Sequence, residues 1–313
     1  MRILVTGGAG FIGSNTVDAL VEAGAGPVAV LDNLSSGKRH QVNPRAAFYQ
    51  ADLRDASAVA EIVEREKPEV IYHLAAQMDV RRSVAEPAYD AQVNLVGFLN
   101  LIESARQNGL KRVIFASTGG AIYGEQNEFP CGEDHPCNPL SPYGIAKLAT
   151  EKYLFFYRAQ YGIDYLALRY ANIYGPRQDP HGEAGVVAIF CARMLDGAPC
   201  TIFGDGRQTR DYTFVGDVVR ANLYALTSKA SGLAINIGTG TETSVNALHS
   251  ALASIAGEVR TPLYAPARPG EQLRSVISAD RAGQLLGWRP ETVLADGLER
   301  TFSYFRDERG RAR

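Results

Sequence analysis

Ile3-Leu4-Val5-Thr6-Gly7-Gly8-Ala9-Gly10-Phe11-Ile12-Gly13 is the stretch from which the fold is read. A short apolar run enters a glycine-rich turn, and a segment of helical length, residues 13–23, leaves it. Glycines 7, 10 and 13 allow the backbone to turn tightly and approach a pyrophosphate. They also let the next helix pack closely, with its N-terminus facing the anion. A glycine triplet alone says little, because glycine-rich turns are common. This one is answered by a second apolar run, residues 28–31, that ends at Asp32, nineteen residues beyond Gly13. An acid at that distance suits the 2′-hydroxyl of a ribose, so the segment reads as a dinucleotide site. Asp32 would repel a 2′-phosphate, which favours NAD over NADP, while Lys38 and Arg39 stand where they could reach such a phosphate and pull the other way.

Outward from this turn the first half alternates apolar runs with amphipathic stretches. Residues 3–6, 28–31, 47–49, 70–74, 112–116 and 165–169 read as strands, and 13–23, 57–66, 93–108 and 141–161 as helices. Asp55 precedes one helix and Gly109 follows another, as caps should. Strand–helix alternation with β-branched strands predicts an α/β fold, a Rossmann-type doubly wound parallel sheet covered on both faces. After about residue 170, Gly and Pro cluster through 172–185 and 196–206, and a Pro-rich stretch spans 261–270. A strand-like 234–238 and a helix-like 245–257 lie between. This predicts an NAD-binding domain over 1–170, completed by 212–238. A smaller, irregular α/β substrate-binding domain takes 171–211 and 239–313, and the active cleft lies between the two, outside the carboxyl ends of the strands. Asp52-Leu53 after the third strand suits an adenine edge. Leu74-Ala75-Ala76 after the fourth puts small residues where a cofactor backbone would lie.

The bulk numbers narrow the class. The 313 residues carry 46% apolar and 21% charged side chains, an ordinary globular composition. A net charge of −2 gives no field to attract nucleic acid, so anionic ligands need a local site. No window approaches a membrane-spanning apolar run, and the opening residues are too short for a secretory signal. Of four cysteines, Cys131 and Cys137 flank His135, but no second Cys/His cluster completes a zinc site. No metal is expected. Reduced thiols in a surface loop, and a cytoplasmic location, are the reading.

Ser141-Pro142-Tyr143-Gly144-Ile145-Ala146-Lys147 carries the chemistry. Ser141 can cap a helix and Pro142 suits its first turn, so Tyr143 and Lys147, four apart, share one face. A phenol with a pKa near ~10 is a poor base at neutrality, and an adjacent ammonium, with a nicotinium cation, would bring it toward the working range. The fifth strand ends at Ser117-Thr118-Gly119-Gly120. Either hydroxyl could hold a substrate hydroxyl that Tyr143 deprotonates, and Thr118 is preferred to Ser117. Either could instead bond the local backbone of the turn.

Together these segments resemble the extended short-chain dehydrogenase/reductase family, and within it the UDP-glucose/UDP-galactose 4-epimerases. The likeness runs nearly end to end, through Asp32-Asn33-Leu34, Leu168-Arg169-Tyr170-Ala171-Asn172-Ile173-Tyr174-Gly175-Pro176, Ile202-Phe203-Gly204-Asp205-Gly206, Thr209-Arg210-Asp211-Tyr212, Arg268-Pro269-Gly270-Glu271 and Leu286-Gly287-Trp288-Arg289-Pro290. The resemblance implies a proton taken from the sugar 4-hydroxyl by Tyr143 and a hydride passed from C4 to NAD. The 4-keto sugar then turns over and receives hydride on its other face. It implies that Lys147 lowers the phenol's pKa and binds the nicotinamide ribose, and that Asn33, Asn94 and Tyr170 join the cofactor site. Asn172, Arg210 and Arg268 fall on the nucleotide diphosphate, Glu271 on the nucleotide ribose, and Val187 on the substrate. Two arginines suit two phosphates, because planar guanidinium forks favour bidentate contacts.

Neighbouring reactions are separated by a few positions. The related 4,6-dehydratases place an Asp-Glu pair after the catalytic Thr, and here Gly119-Gly120 cannot move protons. UDP-glucuronate 4-epimerases or decarboxylases stay open, as does a non-catalytic NAD-binding regulator, which would have no need of Tyr143 and Lys147. Ser275 stands where the resemblance expects a bulkier Tyr in glucose/galactose-restricted epimerases, so UDP-N-acetylhexosamines are expected to fit. Apolar and aromatic residues through 93–107 and 148–161 predict a homodimer, by likeness to related enzymes in which these helices pair.

Overall fold

The computed structural model describes residues 1–181, 185–257, 260–267 and 272–311. Six of its strands are β1 (Ile3–Thr6), β2 (Val28–Asp32), β3 (Ala47–Gln50), β4 (Val70–His73), β5 (Arg112–Thr118) and β6 (Asp164–Tyr170). With Leu233–Ile237 they form one parallel sheet, in the order Leu233–Ile237, β6, β5, β4, β1, β2, β3. Ile3 sits beside Val28 on one side and Val70 on the other. The strand order reverses at β1, between β2 and β4, and a crevice opens there at the carboxyl edge.

Every residue of β1, β2 and β4 is buried, which is why these strands read as unbroken apolar runs. Alternate side chains feed two cores. Ile3, Val5, Val30, Tyr72 and Ile114 face the helices Phe11–Glu22 and Val215–Thr227. Leu4, Leu31, Ile71, Val113 and Phe115 face Ala56–Glu66, Gly97–Gln107 and Pro142–Tyr161. Asp55 caps its helix by accepting from the Ser57 and Ala58 amides, as expected.

The helix expected at 93–108 differs. Chain turns continuously from Pro87 to Gln107, with a wider π-turn at Gln92–Val96. Several helices were not read from the sequence: Val80–Ala85, although Asp79 caps it, Asp280–Leu286, although Gly287 ends it, and Val186–Leu195, Val215–Thr227 and Leu294–Arg311.

The second half builds a separate core from Val186–Leu195, Val245–Ala256 and Leu294–Arg311, with short strands at its rim. One segment crosses over. Ala282 and Trp288, which the expected division assigns to the second domain, are buried in the first core. The indole needs a partner for its N–H when buried, and finds it in the Asp217 carbonyl at 2.9 Å. Among the described residues no helix is long and apolar enough to cross a membrane.

Candidate active site

The glycine turn is a cradle without room for side chains. Gly7 adopts φ +71°, and a Cβ there would lie 2.6 Å from the Ala75 amide nitrogen. A Cβ at Gly13 would lie 2.0 Å from the Gly7 carbonyl oxygen. The helix Phe11–Glu22 begins at Gly10 with no side-chain cap, so its first amides remain for an anion. Asp32 is buried beneath the turn: its oxygens accept from the Ala9 amide at 3.0 Å and the Leu34 amide at 2.8 Å. Each oxygen keeps a lone pair for a ribose hydroxyl. Arg39 stacks over Phe48 at 4.3 Å while Lys38 is exposed, which removes one of the two cations that could have answered a 2′-phosphate. These features fit a dinucleotide with a free 2′-hydroxyl. Across the crevice, the Thr6 hydroxyl bonds His73 Nδ1 at 2.8 Å and ties β1 to β4, setting the approach of Ala75 to Gly7.

Other expected cofactor residues make contacts within the protein. Asn33 donates to Asp52, whose carboxylate also holds Arg54 and lies well below the usual range on that account. The Leu53 side chain is buried under the helix Gly97–Gln107, and Tyr170 turns its ring into the core and donates its hydroxyl to Asn222 at 2.7 Å. Asn94, in the π-turn, accepts from the Gln77 amide and donates to the Gln77 carbonyl, so it shapes the loop after Ala76. Phe11 and Ile12 lie half-buried between the turn and the cores.

Ser141 caps the helix Pro142–Tyr161 by accepting from the Gly144 amide at 3.1 Å, and Gly162 ends it in the left-handed region. Tyr143 and Lys147 follow one above the other. Lys147 Nζ donates to the Ala116 carbonyl at 2.8 Å and lies 5.7 Å from the centre of the Tyr143 ring. Burial brings the ammonium down to about 8, against the opposing pull of Asp90 and Glu151. Burial, with the Asp90 carboxylate, pushes the Tyr143 phenol upward, a push that the expected lowering by an ammonium and a nicotinium cation would have to offset.

The two hydroxyls of the strand end part company. Ser117 faces inward and donates to Glu151 at 2.6 Å, beside the buried Arg169–Glu151 ion pair. Thr118 is half-buried, and a Cβ on Gly120 would lie 4.0 Å from Thr118 Oγ1 and 3.8 Å from Asn172 Oδ1. Thus Asn172, from the second half, meets the end of β5. Arg210 and Ser275 are neighbours across the parallel strands Thr209–Arg210 and Arg274–Ser275, with Ser275 buried. Val187 is buried in the second core, and Arg268 and Glu271 lie outside the described residues. Cys131 is a correction: it is fully buried and paired to Ile277 through backbone bonds, and burial pushes its thiol up to about 12, so it is no surface thiol. Glu151 and Asp90 were missed in the sequence. Glu151 continues the four-residue spacing of Tyr143 and Lys147, a signal that was available.

Residues 3–238 match the NAD dependent epimerase/dehydratase family. The chain belongs to that family. Among curated relatives, the UDP-glucose 4-epimerase of Mycolicibacterium smegmatis is 47% identical, over 98% of this chain and 99% of the relative. A crystal structure of the Thermotoga maritima UDP-glucose 4-epimerase with UDP-glucose superposes with a TM-score of 0.96 at 51% identity, covering 98% of this chain and 99% of that one. The Thermus thermophilus UDP-glucose 4-epimerase in complex with NAD gives 0.92 at 46% identity, with the same coverage. Membership of the epimerase/dehydratase family accounts for the glycine cradle, Asp32 and the Tyr143–Lys147 pair as one apparatus.

Proposed function

We propose that the protein is an NAD-dependent UDP-sugar 4-epimerase, interconverting UDP-galactose and UDP-glucose through a 4-keto sugar. The observation that carries this reading is the Tyr143–Lys147 pair beside a strand end, Thr118-Gly119-Gly120, that offers a hydroxyl and no acid. NAD, when bound, supplies the hydride acceptor. Gly7, Gly10 and Gly13 would hold its pyrophosphate, Asp32 its adenosine ribose, the backbone of Leu74, Ala75 and Ala76 its middle, and Lys147 its nicotinamide ribose. Thr118 holds the sugar 4-hydroxyl, Tyr143 takes the proton, and the Lys147 ammonium, together with the charge of the cofactor, counteracts the upward push of burial on the phenol. Asn172, Arg210, Arg268 and Glu271 are assigned to the nucleotide. Dehydration would need an acid–base pair after Thr118, where this chain has Gly119 and Gly120, and a Cβ on Gly119 would press on the Ile277 side chain at 2.6 Å.

The small Ser275 supports turnover of UDP-N-acetylhexosamines as well, and Ser275→Tyr is expected to abolish that activity while sparing UDP-galactose. Exposed Tyr153, Phe155, Phe156 and Tyr161 on one helix support a homodimer, which sedimentation of a monomer at working concentration would refute.

The deciding assay incubates the purified protein with UDP-galactose and identifies products by chromatography with mass detection, with Tyr143→Phe alongside. The expected result is an isobaric product co-eluting with UDP-glucose, reduced ~10²–10⁴-fold in the variant. Loss of the mass of water would overturn the reading.

A further inference from the structure

Asp90 is a buried carboxylate that none of these roles uses. It lies in the short helix Pro87–Ala91, packed against the catalytic helix Pro142–Tyr161, and is 1% exposed. Its Oδ1 accepts from Gln77 Nε2 at 3.0 Å and Asn94 Nδ2 at 2.9 Å. Its Oδ2 is enclosed and has no hydrogen-bond partner. A bare anionic oxygen in a protein interior is strongly destabilising unless an opposite charge answers it.

The ionisable groups on the packed elements are few. The catalytic helix brings Tyr143, Lys147 and Glu151. The helix Val80–Ala85, packed against both, brings Arg81 and Arg82, with Asp79 at its cap, and Arg82 is ion-paired at the surface with Glu86. His73 stands at the end of β4, and burial, with Lys147, brings it down to about 3, so it is neutral. The π-turn Gln92–Val96 carries no charge. Burial pushes the Asp90 carboxyl upward, and the hydrogen bonds from Gln77 and Asn94 oppose that push; among the charged groups Lys147 favours its anion, and Asp90 in turn favours the ammonium of Lys147 and disfavours the phenolate of Tyr143.

We propose that Asp90 is the counter-charge of the working pair, its unpartnered oxygen holding Lys147 as ammonium and fixing the protonation balance between Lys147 and Tyr143. Enclosed and 1% exposed, it acts through Lys147, so it is a positioning residue. The proposal rests on Tyr143 and Lys147 being the working pair of the function above. Removing the anion makes a proton easier to take from both groups. Activity needs Tyr143 ionised and Lys147 protonated, so both limbs of the pH–rate profile must move the same way, toward acid. A merely structural role would lower the rate without moving either limb.

The test is the kcat profile of the NAD-loaded enzyme on UDP-galactose, with Asp90→Asn, Asp90→Glu and Asp90→Ser. Beside it runs a spectrophotometric titration of tyrosinate, taken as the difference between each protein and its Tyr143→Phe counterpart. In Asp90→Asn both limbs and the tyrosinate midpoint are expected to fall by on the order of one pH unit. Asp90→Ser is expected to fall equally, and Asp90→Glu to stay near the wild type even if slower. Unmoved limbs and an unmoved midpoint in Asp90→Asn or Asp90→Ser, or an Asp90→Glu profile displaced as far as theirs, would overturn the proposal. A wild type that turns over no sugar would sink the epimerase reading instead, and the tyrosinate titration would still decide the charge coupling.

Discussion

Replacing Glu151 by Gln tests how the catalytic helix is anchored to the sheet. The Glu151 and Arg169 side chains are 9% and 7% exposed, with a 2.7 Å contact between Oε2 and Nη2. Arg169 Nε donates to Oε1 at 3.0 Å, and the Ser117 hydroxyl donates to the same oxygen at 2.6 Å. Glu151→Gln keeps the shape and removes the charge, leaving a guanidinium buried without its anion. Breaking one side of such a pair costs about 3–5 kcal/mol, and the retained amide oxygen argues for ~3. At roughly 2.1 cal/mol/K per residue, the 313-residue chain has an unfolding entropy of about 0.7 kcal/mol/K, so ~3 kcal/mol lowers the melting temperature by about 4–5 °C if it unfolds in one step. The assay is thermal melting by circular dichroism with saturating NAD. Glu151→Leu combined with Arg169→Met removes both charges and should melt above the single variant. A single variant melting within ~1 °C of wild type, or a double variant melting below it, would refute the assignment of the penalty to an unpaired buried charge.

The two strand-end hydroxyls should separate cleanly. Thr118→Val should cut kcat ~10²-fold or more with little change in melting, whereas Ser117→Ala should lower stability by ~1 kcal/mol and leave most of the rate. Gly13→Ala, which drives a Cβ into the Gly7 carbonyl, should abolish NAD binding by calorimetry, while Gly132→Ala, with nothing within 4 Å, should not. His73 is held neutral with its pKa lowered from 6.5 to about 3, and the unfolded chain takes up the proton that the native state refuses. Its contribution is therefore present above about pH 6.5 and is lost as pH falls, at up to ~1.4 kcal/mol per pH unit. Urea melts between pH 7 and 5 should show that slope, and His73→Gln should flatten it.

How much was legible in advance follows from the range of the forces involved. The strand–turn–helix at Ile3–Gly13, the acid at Asp32 and the Tyr143–Lys147 spacing were readable because each is a local pattern. A period of two or of nearly four places side chains on one face before any distant contact forms, and a glycine with positive φ declares itself by its lack of a side chain. The placement of Trp288 was not readable, because nothing near it in sequence carries the Asp217 carbonyl that holds its indole. Between Ser117 and Thr118 the sequence offered only a preference for Thr118, and not the Glu151 partner of Ser117. Adjacent residues on a strand point to opposite faces, but which face holds the cleft depends on how the sheet is wound and on Glu151 arriving from a helix 34 residues away in sequence.

The upward push on Tyr143 from its surroundings was not readable for the same reason. The chain announces the neighbouring ammonium four residues on, whereas burial and the Asp90 carboxylate reach the phenol only after two helices pack together. Sequence by itself determined the backbone cradle, the preference for NAD over NADP and the residue proposed as the base. Tertiary structure alone decided that Ser117 is taken up by Glu151 and which charges Tyr143 feels, because solvation and Coulomb interactions depend on distance through space rather than along the chain.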